Sequence, residues 1–204
     1  MKTAWDNKWV FEEQLALNIK ELNSRIIPSH WVSFFKIMDS IIQSDTNYNF
    51  LDVGCGCGSY IELCKKYKNV KYKGIDFSSV GIELAQKSWG SPSSFLIMDY
   101  KELSKDCIKN VDILHLGALL DVLPDGDEAF SFILDLNPKH LIIGRVNLTD
   151  QDSSSYTIQA YAGETFIRFK HNKKKFYQEL ESRNLLYEKV EDTFYIKSNN
   201  LEKY

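Results

Sequence analysis

The stretch FLDVGCGCGSY, residues 50–60, constrains the chain more than any other. FLDV is a short apolar run and reads as a buried strand. It passes directly into glycines at 54, 56 and 58, and SYIELCKKY continues as a helix with Ile61 and Cys64 inward. Glycine permits positive φ and lets a ligand approach bare backbone. A helix N-terminus adds free N–H groups. In an open α/β sheet, ligands bind beyond the carboxyl ends of the strands, near the topological switch point. The loop is therefore a candidate cofactor cradle, although a tight structural turn would use the same glycines.

The cysteines inside the loop raise the alternative of a metal. Structural zinc wants two paired half-sites. Cys55, Cys57, Cys64 and Cys107 supply one C-x-C, one cysteine seven residues on and one distant cysteine, with no histidine pair. No metal is expected, and the cysteines read as thiols small enough to pack near a tight turn.

The rest of the chain extends the α/β pattern. VKYKGI, SFLIM, VDILHL and HLIIGRV read as strands. SSVGIELAQKS, with Ser78 as N-cap, and DEAFSFILDL, closed by Asn137-Pro138, read as helices. Near-continuous apolar strands alternating with helices indicate a parallel sheet covered on both faces. Upstream, residues 6–22 form a helix with Trp9, Leu15, Ile19 and Leu22 on one face. Trp31, Phe34, Phe35, Met38, Ile41 and Ile42 mark a strongly amphipathic second helix. Downstream, YTIQAY and TFIRFK form an extended pair, NKKKFYQELESRN a helix capped by Asn172, and LLYEKVE with TFYIKSN a hairpin around Asp192. At 204 residues the chain reads as a single domain over 1–204, an extension over 1–45 and a core over 46–204. Net charge of −3 gives no global basic field, so no nucleic acid is expected. No stretch reaches the ~18–20 apolar residues of a membrane span. The N-terminus lacks a signal-peptide core, and the expected location is cytoplasmic.

Two acids follow the glycine loop. Asp76 ends the second strand and can accept both hydroxyls of a ribose, or it caps the next helix. Asp99 ends the third strand, where a carboxylate can meet an adenine amino group between Met98 and Tyr100, or it is a solvated loop acid. A nicotinamide dinucleotide fold requires G-x-G-x-x-G, and position 59 is serine.

LDVGCGCGSY, GIDFS, IMDY and VDILHLGALLDVLPD together resemble the successive motifs of class I S-adenosylmethionine-dependent methyltransferases, in order over about residues 48–146. The resemblance implies a Rossmann-like, seven-stranded, mostly parallel sheet with an antiparallel C-terminal hairpin and helices on both faces, here behind an N-terminal helical extension. It implies S-adenosylmethionine as cofactor. Carried over by position, Asp52, Gly54, Gly56, Gly58, Asp76, Phe77, Met98, Asp99 and Tyr100 would hold it.

The acceptor must be held in line, away from water, and a hydroxyl acceptor often needs a base. His115, at the end of VDILHL, is the candidate base, or it lines the cofactor or satisfies a backbone group. Asp121 would hold it or face solvent. Arg145 and Asn147 end the fifth strand, and Arg145 with Arg168 suits an anion. Tyr156, Gln159 and Tyr161 would line the adjoining wall, or the pair is a plain covering hairpin. From GALLDVLPD onward the chain also resembles a narrower group of bacterial methyltransferases found with surface-polysaccharide biosynthesis. This implies O-methylation of a sugar, or of a phosphorylated or nucleotide-linked glycan precursor. A cofactor-binding module without catalysis and another small-molecule acceptor stay open, because fold does not decide activity. A nucleic-acid methylase would carry N/D-P-P-Y/F where this chain reads HLGA. The aromatic extension is a lid over the cofactor, a homodimer contact or an extra core layer.

Overall fold

The computed structural model describes residue 5 and residues 7–161 and 163–198. The first helix, α1, spans Lys8–Leu22, with the Asn7 side chain accepting from the Trp9 N–H. α2 spans Ser29–Ile41 behind Pro28. The core then alternates: β1 (Tyr48–Val53), α3 (Tyr60–Cys64), β2 (Val70–Asp76), α4 (Ser79–Trp89), β3 (Phe95–Ile97), α5 (Lys105–Ile108), β4 (Ile113–Leu116), α6 (Leu119–Val122), α7 (Gly126–Asp135) and β5 (His140–Ile143). After it come β6 (Leu148–Thr149), β7 (Ser155–Tyr161), β8 (Glu164–Asn172), α8 (Lys173–Ser182), β9 (Leu186–Val190) and β10 (Thr193–Lys197).

Seven strands form one sheet in the order β3-β2-β1-β4-β5-β10-β9. β1 to β5 are mutually parallel, and β10 runs antiparallel to both β5 and β9. The chain steps outward from β1 to β3 and returns to β1's other side with β4, so the switch point lies between β1 and β4. The expected sheet and its C-terminal hairpin are both present.

Strand residues alternate between the faces. Leu51, Val53, Ile75, Leu114, Leu116, Leu141 and Ile143 meet α7 and α8 through Phe130, Ile133, Phe176 and Leu180. Phe50, Tyr72, Phe95, Ile113 and Ile142 meet α2, α3 and α4 through Phe34, Met38, Cys64 and Ile82. Helices thus cover both faces. YTIQAY and TFIRFK pair antiparallel, as expected, and β6 joins them parallel to β8 in a small second sheet.

Two expectations change. The expected helix over 59–67 is α3 alone, because the amides of Lys65, Lys66 and Tyr67 bond three residues back, to the Glu62, Leu63 and Cys64 carbonyls, in tighter turns than an α-helix makes. On α1 the inward residues are Val10 and Phe11, whereas Trp9 is 56% exposed and Ile19 40%. The buried face of α1 is partly polar, so a stripe drawn through its apolar residues points the wrong way.

Candidate functional site

The glycine loop leaves β1 with φ of 70° at Gly54, 55° at Gly56 and 77° at Gly58. All three lie in the left-handed region that residues with a Cβ enter at a cost. Asp76, at the end of β2, fixes the loop. Its Oδ2 accepts the Gly56 N–H at 2.8 Å and its Oδ1 the Ser78 N–H at 2.9 Å. Asp76 is buried, and desolvation raises its pKa against the pull of those two N–H groups. Ser78 caps α4 through the Gly81 N–H, as the sequence indicates. Asp76 is thus free to face outward from the sheet, and each of its oxygens keeps a second lone pair.

A hollow of about 300 Å³ opens beside it. Gly54, Gly56, Asp76, Phe77, Met98, Asp99 and Tyr100 all line it, so seven of the nine expected cofactor residues converge there. Asp99 also caps the turn Tyr100–Glu102, where it accepts the Lys101 N–H while Glu102 accepts the Asp99 N–H. The far wall is apolar, made by Leu119, Val122, Leu123 and Pro124. One charged acceptor at each of two strand ends, with bare glycine backbone between apolar walls, fits a ribose, an adenine and a thioether or sulfonium chain. Gly58 lines neither this hollow nor the smaller one beside it, and serves packing against Phe95 instead.

The N-terminal extension, for which a lid is one of the expected roles, supplies wall residues, of which those on α1 carry no motif. Phe11 and Gln14 line the hollow, and so does Trp5, whose carbonyl accepts from Ser78 Oγ at 2.8 Å. Asn18 donates to Ser59 Oγ at 3.1 Å. Asn7 donates to Glu164 Oε1 at 2.7 Å and so ties the start of α1 to β8. Positions 11, 14 and 18 follow helical spacing and form one mixed stripe on the loop, while the cap Asn7 reaches β8. The signal was present, but it alternates amide and aromatic side chains. Burial pushes the Cys57 thiol, which contacts Gln14 and Asn18 on this stripe, up to about 12.

A smaller hollow of about 80 Å³ adjoins the first and shares Gly54, Gly56, Gln14 and Ala118 with it. Asp52, Tyr60, Gly117, His30 and Arg145 also line it, with Asn18, Trp31, Cys55 and Ser59. Asp52 is 1% exposed, accepts the Tyr72 hydroxyl at 2.8 Å and pairs with His115 Nδ1 at 2.7 Å. Since a carboxylate accepts only, Nδ1 carries the proton of that bond. His115 itself is 1% exposed and lines neither hollow. Its ring is enclosed by Tyr60, Phe34 and Phe50, with centroids at 4.3, 5.4 and 5.5 Å.

The expected acceptor residues separate. Arg145 lines the smaller hollow, and its Nη2 lies 3.4 Å from His30 Nε2. Arg168 donates instead to Asn147 Oδ1 at 3.2 Å, and Asn147 donates to Asp121 Oδ1 at 2.8 Å. The expected pairing of Arg145 with Arg168 gives way to these two sets of contacts. The side chain of Tyr161 lies outside the described residues. Tyr156 is 55% exposed on β7.

Asp121 holds its carboxyl up at about 6, chiefly through desolvation, with Arg168 and Asn147 opposing. A carboxyl raised in the folded state binds more protons there than when unfolded. Its ionisation therefore opposes folding above pH 6, and the penalty is relieved as pH falls through 6 toward 4. Asp121→Asn keeps an acceptor for Asn147 and is expected to stabilise the protein at pH 7.5 by on the order of 2 kcal/mol. The gain should vanish near pH 4, read from urea midpoints across that range.

No protein-family model and no curated protein matches the chain. Solved structures do match, in fold. A Clostridium acetobutylicum S-adenosylmethionine-dependent methyltransferase superposes with a TM-score of 0.59 at 16% identity, over 92% of this chain and 98% of that one. A Listeria monocytogenes protein assigned to the same class gives 0.62 at 12%, over 84% and 99%. Magnesium protoporphyrin IX methyltransferase from Synechocystis PCC 6803, with bound S-adenosylmethionine, gives 0.56 at 15%, over 93% and 84%. The chain has the Rossmann-like fold of these methyltransferases.

Proposed function

We propose that this protein is an S-adenosylmethionine-dependent methyltransferase acting on a small acceptor. The observation that carries the reading is the convergence of Gly54, Gly56, Asp76 and Asp99 on one hollow at the carboxyl ends of β1, β2 and β3. The bound cofactor supplies an electrophilic methyl group on a sulfonium. Asp76 would accept the ribose hydroxyls, Asp99 would meet the adenine amino group, and Met98 and Tyr100 would pack on the ring, with the glycine-loop backbone along the amino-acid end. Trp5 and Phe11 exclude water from one side. His115 acts on the acceptor side only through Asp52 or Tyr60, as a positioning group beneath the smaller hollow.

The acceptor we favour is a sugar hydroxyl on a phosphorylated or nucleotide-linked glycan precursor. The resemblance of the C-terminal half and the Arg145 guanidinium at the smaller hollow support it.

Calorimetric titration with S-adenosylmethionine, S-adenosylhomocysteine and NAD tests the cofactor. One-to-one binding of both sulfur compounds and none of NAD is expected. Absence of binding by either sulfur compound to folded protein would assign the glycine loop a structural role alone.

A further inference from the structure

Arg145 lines the smaller hollow from the bend that follows β5. Its guanidinium forms no ion pair among the described residues. The group its side chain does meet is an imidazole nitrogen, His30 Nε2, 3.4 Å from Nη2. Desolvation and the Arg145 charge hold His30 down to about 4, so near neutral pH it accepts a hydrogen bond and brings no competing charge. Tyr60 lines the same hollow, and its hydroxyl has no hydrogen-bond partner among the described residues. Asp52, the carboxylate in the lining, is already engaged by Tyr72 and His115.

A guanidinium directed by a neutral acceptor, with an uncommitted phenol in the same lining, is the donor set that binds an oxyanion. The hollow holds about 80 Å³, room for one such group. We propose that the smaller hollow is a receptor for a single carboxylate or phosphate group, with Arg145 as its charge, Tyr60 as a second donor and His30 as the positioning residue that aims the guanidinium. The anion has two sources. One is the carboxylate of the cofactor's own amino-acid end, since the two hollows share Gly54 and Gly56. The other is an acidic group on the acceptor. Naming these sources rests on the methyl-transfer reading, but the receptor itself does not.

The test compares wild type, Arg145→Met, His30→Ala and His30→Gln. Calorimetry uses S-adenosylhomocysteine and 5′-methylthioadenosine, which lacks the amino-acid end. Inorganic phosphate is titrated into protein saturated with S-adenosylhomocysteine. With the cofactor as source, Arg145→Met weakens S-adenosylhomocysteine by about tenfold or more and leaves methylthioadenosine unchanged. With the acceptor as source, both adenosine compounds bind normally and Arg145→Met abolishes phosphate binding. In either case His30→Ala reproduces part of the loss and His30→Gln, which keeps a neutral acceptor, restores it at unchanged unfolding midpoints. Wild-type affinity in His30→Ala removes its positioning role. Equal S-adenosylhomocysteine affinity in wild type and Arg145→Met, with no Arg145-dependent phosphate binding, overturns the receptor. If neither adenosine compound binds wild type, the methyl-transfer reading fails. Phosphate binding to the unliganded protein, lost or kept in Arg145→Met, then decides the receptor by itself.

Discussion

Gly58→Ala is expected to destabilise the protein by about 3 kcal/mol, the sum of a left-handed backbone cost and an overpacked core. A Cβ at this position would stand 2.4 Å from Phe95 Cε1, 2.7 Å from Cζ and 3.0 Å from the Ala85 Cβ, at a φ of +77°. Phe95 is fully buried and has little room to move aside. Its ring lies edge-on to Tyr72 at 5.8 Å, and Tyr72 donates to Asp52. Relief of the clash therefore disturbs either the loop or the buried Tyr72–Asp52–His115 chain. Gly90→Ala is the internal control. It caps α4 at a φ of +62° with nothing within 4 Å of the added Cβ, so it should lose only the backbone part, about 1 kcal/mol. Urea midpoints at constant m-value measure both. A Gly58→Ala variant no less stable than Gly90→Ala would show that the loop yields easily, and the packing role of Gly58 would fall.

Gly58 also shows what one chain reveals of itself and what it hides. The strand, the three glycines and the helix are local, so the loop was legible, as were Ser78 as a cap and Asp76 and Asp99 at strand ends. That Gly54 and Gly56 face a hollow while Gly58 faces Phe95 depends on a contact across 37 positions, which no local pattern encodes. The same limit explains His115. Its place at a strand end suggested exposure at the site, but Phe34 on α2 and Tyr60 on α3 close over it. The four-residue helices α5 and α6 and the two-residue β6 are too short to show a period. The α1 stripe of Phe11, Gln14 and Asn18 has the right period but mixed polarity, because it rests on the glycine loop rather than on the core. Strand order is not readable from the sequence at all, since order is a property of long-range pairing.

Asp76→Ala should weaken S-adenosylhomocysteine binding by about a hundredfold, the value of two hydrogen bonds from hydroxyls to a buried carboxylate. It should also lower stability, because the Gly56 and Ser78 N–H groups lose their acceptor. Asp76→Asn separates the effects. One amide oxygen can still accept from the loop, so stability recovers in part. The charge and the second acceptor stay lost, so binding remains weak. 5′-Methylthioadenosine carries the same ribose and must weaken equally, unlike the selective loss assigned to Arg145→Met when the carboxylate belongs to the cofactor. Burial raises the Asp76 pKa, and the ionised form is the one that accepts. Affinity should therefore fall on acidification at a higher pH than an exposed carboxylate would give, and that limb should disappear in Asp76→Asn. Near-wild-type affinity in a folded Asp76→Ala variant would leave this carboxylate as a clasp for the glycine loop and nothing more.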